Sequence, residues 1–190
     1  MPYNPATKTY TKTHNGLELE GSERSKFLND LKTLPLDVET IKITLIANLE
    51  RLPDLGHYTA LKTLNLYNIG LKVFDCTLPD SLEILDISCN CISEITRSLP
   101  PRLKVFNISY NPITVLPALP DTLITLGCTT CPIGALPPLP QFLEDLYASG
   151  CGLTSLPALP ASLTTVSVLS NYITTFPPFP PTITTLKIDW

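Results

Sequence analysis

Apolar side chains recur along this chain in columns, at a spacing set by a repeat. In the C-terminal half the offset is twenty residues: Leu116, Leu136, Leu156 and Phe176 share one column, each followed by proline. Leu119, Leu139, Leu159 and Phe179 form a second column, again each followed by proline, and Leu123, Leu143, Leu163 and Ile183 a third. Leu126, Leu146, Val166 and Leu186 keep step, as do Cys128, Ala148, Val168 and Ile188, and Ile133, Leu153 and Ile173. The same frame runs backwards through Leu103, Phe106, Ile108, Asn111 and Ile113, then through Leu82, Leu85, Ile87, Asn90 and Ile92. An earlier copy holds Leu61, Leu64, Leu66 and Leu71, and an irregular first one runs through Val38, Ile41 and Ile43 to Leu52-Pro53. The pattern predicts about eight coils.

Within each copy two apolar residues stand two apart, so an extended strand turns both to one face and the residues between them to the other. One coil cannot bury its own leucines. Neighbouring coils must therefore stack at about 4.8 Å per strand and share a continuous core. After each strand the chain turns, and Asn90, Asn111 and Asn171 stand where side-chain amides can bond backbone groups left open there. Cys131 and Cys151 replace them in two copies, and Ile69 and Ile46 in the first two, where the turn is expected to differ. The Leu-Pro-x-Leu-Pro segment returns the chain along a path that proline keeps out of helix, either polyproline-like or a short 3₁₀ turn.

Written out, the unit is L-x-x-L-x-L-x-x-N-x-L-x-x-L-P-x-L-P-x-x, and over residues 36–190 it resembles the leucine-rich-repeat superfamily. The short proline-rich version is most similar to the repeats of bacterial type III secreted effectors. The resemblance implies an α/β-type solenoid, mostly β, right-handed, with a parallel concave sheet of about eight short strands. It also implies that cysteine is accepted in the asparagine column, and that the chain binds a protein partner without catalysing a reaction. Some effectors of this kind carry a helical ubiquitin-ligase domain whose catalytic cysteine is followed two residues on by aspartate. None of the six cysteines here has that neighbour.

Residues 1–35 fall outside the repeat and read as a cap for the first coil. Ser22 is placed to cap a helix reaching Lys32, with Phe27, Leu28, Leu31 and Leu34 along one side. Ahead of it, Thr7–Thr13 and Leu17–Glu20 flank Asn15-Gly16, a hairpin dipeptide. At the other end the last strand, with Lys187, Asp189 and Trp190, is followed by no covering element. Either Trp190 folds back and the two charges keep the edge soluble, or terminal strands meet edge to edge in a two-fold homodimer.

Composition narrows the partner. Thirteen Lys+Arg against seventeen Asp+Glu give a net charge of -4, with no basic run for phosphates, so nucleic acid is not expected. No window approaches the ~18 apolar residues of a membrane span and the start lacks a secretory pattern, which together predict an intracellular protein without membrane contact. Twenty prolines against eight glycines are the return segments of the repeat, not low complexity.

Candidate chemistry is sparse. Cys128-x-x-Cys131 and Cys89-x-Cys91 have zinc-like spacing but occupy packing and turn positions, so no metal, cofactor or disulfide is expected. His14 and His57 have no nucleophile at a recognisable spacing. What remains is the outward strand face, mostly small and hydroxylic, on which Tyr67, Asp86, Asn107, Tyr110 and Tyr147 are the candidate contacts for a protein partner.

Overall fold

The structure, a computed structural model, describes residues 2–13 and 21–189. Its strands are β1 (Tyr3–Asn4), β2 (Thr9–Thr13), β3 (Thr40–Thr44), β4 (Thr63–Asn65), β5 (Ile84–Asp86), β6 (Val105–Asn107), β7 (Thr125–Gly127), β8 (Asp145–Tyr147), β9 (Thr165–Ser167) and β10 (Thr185–Lys187), with one helix, α1 (Gly21–Lys32), between β2 and β3. They form a single sheet in chain order, parallel from β2 to β10, coiled into a solenoid of about 7 turns.

Register follows the apolar columns. Tyr10, Ile41, Leu64, Leu85, Phe106, Leu126, Leu146, Val166 and Leu186 pair in one continuous row. From Tyr10 to Val166 that row is buried, and a second row from Ile43 through Leu66, Ile87, Ile108 and Cys128 to Ala148 lies beside it, also fully buried. Each such side chain contributes about 1.5–3 kcal/mol by leaving water, so two or three per coil offset much of the cost of ordering a twenty-residue loop that has no other core.

The return path is extended and irregular, not helical. The second proline of each Leu-Pro-x-Leu-Pro unit opens a β-turn: Pro120, Pro140, Pro160 and Pro180 accept from the N–H of Leu123, Leu143, Leu163 and Ile183 at 3.1–3.2 Å. Pro79 and Pro100 do the same for Leu82 and Leu103. The next position is proline in two copies, Pro101 and Pro181, where a fixed φ suits the turn, and each turn delivers an inward leucine to the start of its strand. Beside it runs a second, hydroxyl ladder: Ser81, Thr122, Ser162 and Thr182 donate to the carbonyls of Leu61, Leu103, Leu143 and Leu163 at 2.6–2.8 Å, one coil back.

The N-terminal residues join this sheet. β2 lies parallel to β3 and takes β1 as its antiparallel partner, Tyr3 opposite Tyr10. The hairpin observed is thus β1 with β2, turning over residues 5–8; the expected Asn15-Gly16 turn, Leu17–Glu20 and His14 lie outside the described residues. Ser22 sits inside the first turn of α1 and not at its cap. Phe27 and Leu31 are buried beneath the helix, with Leu28 and Leu34 partly so. Tyr58 ties the helix end down: its hydroxyl donates to Leu31 O at 2.7 Å and accepts from Leu34 N–H at 3.1 Å, serving a terminal carbonyl that the helix itself cannot. Arg24 reaches across to Leu49 O and Glu50, and Glu50 also holds Lys72.

Tyr10 is the exception in this packing. It is 1% exposed, and its hydroxyl has no partner among the described residues; burial pushes its ionisation up to about 12. Tyr10→Phe removes an unsatisfied buried group without leaving a large void. It should raise unfolding free energy in urea by about 1 kcal/mol. A loss of stability would mean the hydroxyl is bonded.

Candidate functional site

The turn after each strand is built on the asparagine column. Asn90 Nδ2 donates to Leu66 O, Ile87 O and Ser88 O at 2.9–3.1 Å, while Oδ1 accepts from Ile69 and Leu71 N–H at 3.0 and 3.1 Å. Asn171 repeats all five bonds four coils later, to Ala148 O, Val168 O and Leu169 O and from Cys151 and Leu153 N–H. Cys131 and Cys151 keep the donor role, to Ile108 O at 3.2 Å and Cys128 O at 3.0 Å, and their sulfurs also face backbone N–H groups of the preceding turn, those of Asn111 and Cys131. The turn also carries a left-handed residue in every coil: Asn68, Cys89, Tyr110, Thr130, Gly150 and Ser170 have φ between 52° and 66°. That conformation lifts the residue off the strand line, and at Tyr110 it leaves the ring 55% exposed above the concave face.

On the concave face itself, a short polar column closes the strand ends. Asn65, Asp86 and Asn107 each accept, at 3.0–3.3 Å, from the N–H two residues on, that of Tyr67, Ser88 and Ser109. Asp86 is further held by Asn65 Nδ2 and the Ser88 hydroxyl, so its carboxylate is anchored in the sheet. At the next rung the column reaches Gly127, which has no side chain to do this. Ser109 Oγ accepts from Thr129 N–H in its place, at 3.2 Å, across the coil boundary.

A hollow of about 490 Å³ opens on this face, lined by Gly127, Ser109 and Thr129 together with Tyr67, Tyr110 and Tyr147. Asn107 lines it as well. Four of the five residues expected to meet a partner thus gather here, while Asp86 lies in the adjoining rung, opposite Asn107 in register. Cys89, also in the lining, hydrogen-bonds Tyr67, and that bond first, then the thiol's charge, burial and Asp86, raises the Tyr67 ionisation above its ordinary value. The Tyr67 phenol is therefore a neutral donor and acceptor at physiological pH. Gly127 and Cys89 were not recognisable as site residues in the sequence. The one available signal was the break in the Asn-Asp-Asn column.

At the far end Lys187 and Asp189 are exposed, and Asp189 accepts from the N–H of Ser170, which ties the last strand back to the preceding coil. Trp190 lies outside the described residues. His57 stacks on Tyr58 at 3.9 Å between ring centroids. Among the described residues, no three His, Cys, Asp or Glu side chains are grouped as metal ligands, and no helix is long and apolar enough to cross a membrane.

All six thiols are free. Burial pushes Cys76 up to about 12 and Cys131 to about 11, and Cys128, hydrogen-bonded to Cys151 and buried, is raised as well. Cys91 alone is exposed, with Cys89 half-buried. A native-state titration with a thiol reagent should modify Cys91 first and Cys89 more slowly, and all six should react in denaturant. Fewer than six in denaturant would reveal a disulfide.

These stacked rungs, with their asparagine turns and shared leucine rows, define a leucine-rich-repeat protein. Its likeness to effector repeats is direct: YopM from Yersinia enterocolitica superposes with a TM-score of 0.74 at 30% identity, over 82% of this chain and 34% of that one. A second solved YopM, described as a leucine-rich effector protein from Yersinia pestis, gives 0.67 at 32% identity, over 83% of this chain and 49% of that one. Toll-like receptor 9 of Sus scrofa is 38% identical over 74 residues, 38% of this chain and 6% of the receptor. This chain therefore spans from a small fraction to about half of the proteins it resembles. No protein-family model matches the sequence.

Proposed function

We propose that this chain is a non-catalytic scaffold that takes a protein partner on its concave face, with residues 36–190 as the recognition solenoid and residues 1–35 as its cap. The observation that carries the reading is the hollow over Gly127, where three tyrosines stand around a floor of small hydroxylic residues. Tyrosines supply large, stiff, amphipathic contact area, and such side chains dominate the energetics of protein interfaces. A net charge of -4 supports a protein target over a nucleic acid. The likeness to YopM, a leucine-rich effector protein, supports a proposed site of action inside a cell, a host cell if this chain too is an effector. Affinity capture from cell lysate tests it. A discrete protein should be retained by the native chain and lost when Tyr67, Tyr110 and Tyr147 are changed together to alanine; retention by that variant would move the interface elsewhere.

A second reading, self-association through β10, has its own observation. Leu186 is 41% exposed in a row whose members Leu126, Leu146 and Val166 are fully buried. Light scattering at tens of micromolar should then report a dimer that Leu186→Lys dissolves. A monomer at that concentration removes the reading.

A further inference from the structure

We infer that the hollow over Gly127 is a pocket for one cationic side chain, an arginine presented by the protein partner; this rests on the concave-face reading above. The first ground is Gly127 itself. Its φ is not in the left-handed region, so the backbone there would accept any residue, and a glycine inside a strand is destabilising unless something must approach closely. A Cβ at this position would stand 2.8 Å from Asn107 Oδ1 and 3.4 Å from Ser109 Oγ, so even a methyl group intrudes on the floor. Glycine here lets the Asn107 amide and the Ser109 hydroxyl lie against β7, where both line the hollow.

The second ground is charge. No residue lining the hollow is cationic. Carboxylates flank it on the adjoining rungs: Asp86 pairs in register with Asn107, and Asp145 with Thr125, whose hydroxyl it accepts at 3.2 Å. Of the concave cations, Lys42 lies on β3 and Lys187 on β10, four and three strands from β7. At about 4.8 Å per strand both lie beyond the ~8 Å screening length of physiological salt. Lys104, at the rim, is already paired with Glu83 at 2.8 Å. The local field is therefore negative.

The third ground is chemistry. Tyr67, Tyr110 and Tyr147 belong to the rungs of β4, β6 and β8, each about 10 Å from the next at ~4.8 Å per strand, so one cation meets Tyr110 and a single neighbour. Such rings attract a cation, and a planar guanidinium suits them better than an ammonium does. Its five N–H donors suit a lining rich in oxygen acceptors, from Ser88, Ser109, Thr129 and the phenols. An acidic or purely aliphatic side chain meets none of these features.

The experiment titrates acetyl-Ala-Arg-Ala-amide into the isotope-labelled full chain and follows backbone amides by NMR, with the citrulline and norleucine peptides as uncharged matches. Saturable shifts should centre on Gly127, Ser109 and Tyr110, with affinity at least about tenfold weaker for citrulline and for the Asp86→Asn variant. Gly127→Ala should abolish them; where that variant alters the fold, Tyr110→Leu at an exposed position gives the same reading. Equal binding of the citrulline or norleucine peptide, shifts that map elsewhere, or no shifts at millimolar peptide would each overturn the pocket. A captured protein that is lost with the three tyrosines yet indifferent to Gly127→Ala would overturn it too, while leaving the scaffold reading standing.

Discussion

Replacing Asn90 by alanine lowers the stability of this chain by about 3–5 kcal/mol, measured as the free energy of urea unfolding. The side chain makes five contacts in a buried turn, Nδ2 sharing its two hydrogens among three carbonyls and Oδ1 accepting two N–H groups. Each contributes on the order of 1 kcal/mol net, and truncation strands their backbone partners in a dry interior where an unmade bond costs about 1–3 kcal/mol. Some relaxation of the turn toward water keeps the total below the simple sum. Asn90→Cys is the internal comparison: cysteine occupies the same column at Cys131 and Cys151 and still donates across the coil. It should cost clearly less than alanine. Alanine and cysteine variants of equal stability would show that the donor contributes nothing.

Gly70→Ala should cost about 3 kcal/mol or more. Two effects add there: φ is +69°, and a Cβ would come within 2.5 Å of the backbone nitrogen of Asn48. That neighbour is main chain in the previous turn and cannot swing aside, so the two coils must part. Gly152 separates the effects, because its φ is +71° with nothing within 4 Å of a Cβ. Gly152→Ala should therefore show only the left-handed penalty, about 1–2 kcal/mol. If the two substitutions cost the same, contact with Asn48 is not what keeps Gly70.

The solenoid was legible because its cause is periodic. The inward apolar residues repeat every 20 or 21 positions, and a strand has only two faces, so the columns from Leu82 to Leu186 dictate both register and core. β2 escaped this logic. Tyr10 occupies the leucine row without belonging to a repeat, and its parallel partner stands beyond an intervening helix. The hydroxyl ladder of Ser81, Thr122, Ser162 and Thr182 was equally silent, since serine and threonine beside proline read only as polar loop. So was the left-handed column, where Cys89, Tyr110 and Thr130 adopt a conformation that glycine would have announced.

The candidate site divides in the same way. That Tyr67 and Tyr147 face outward follows from strand alternation alone. That they line a hollow with Tyr110 does not, because this depends on a left-handed turn conformation at Tyr110 that the sequence does not announce. Asp86 shows the opposite case: a charge on the recognition face whose oxygens are already engaged with Asn65 and Ser88.

Uniform register has one more consequence, for how such a chain changes length. From β6 to β9 the pairing partners lie twenty residues apart, so residues 125–144 form an interchangeable vertebra. Excising them would bring Asp145 opposite Val105 and Leu146 opposite Phe106, closing the column with its leucine spine unbroken. The shortened molecule would lose Gly127, and with it the notch among the tyrosines. Reach and recognition are thus inherited in the same parcel.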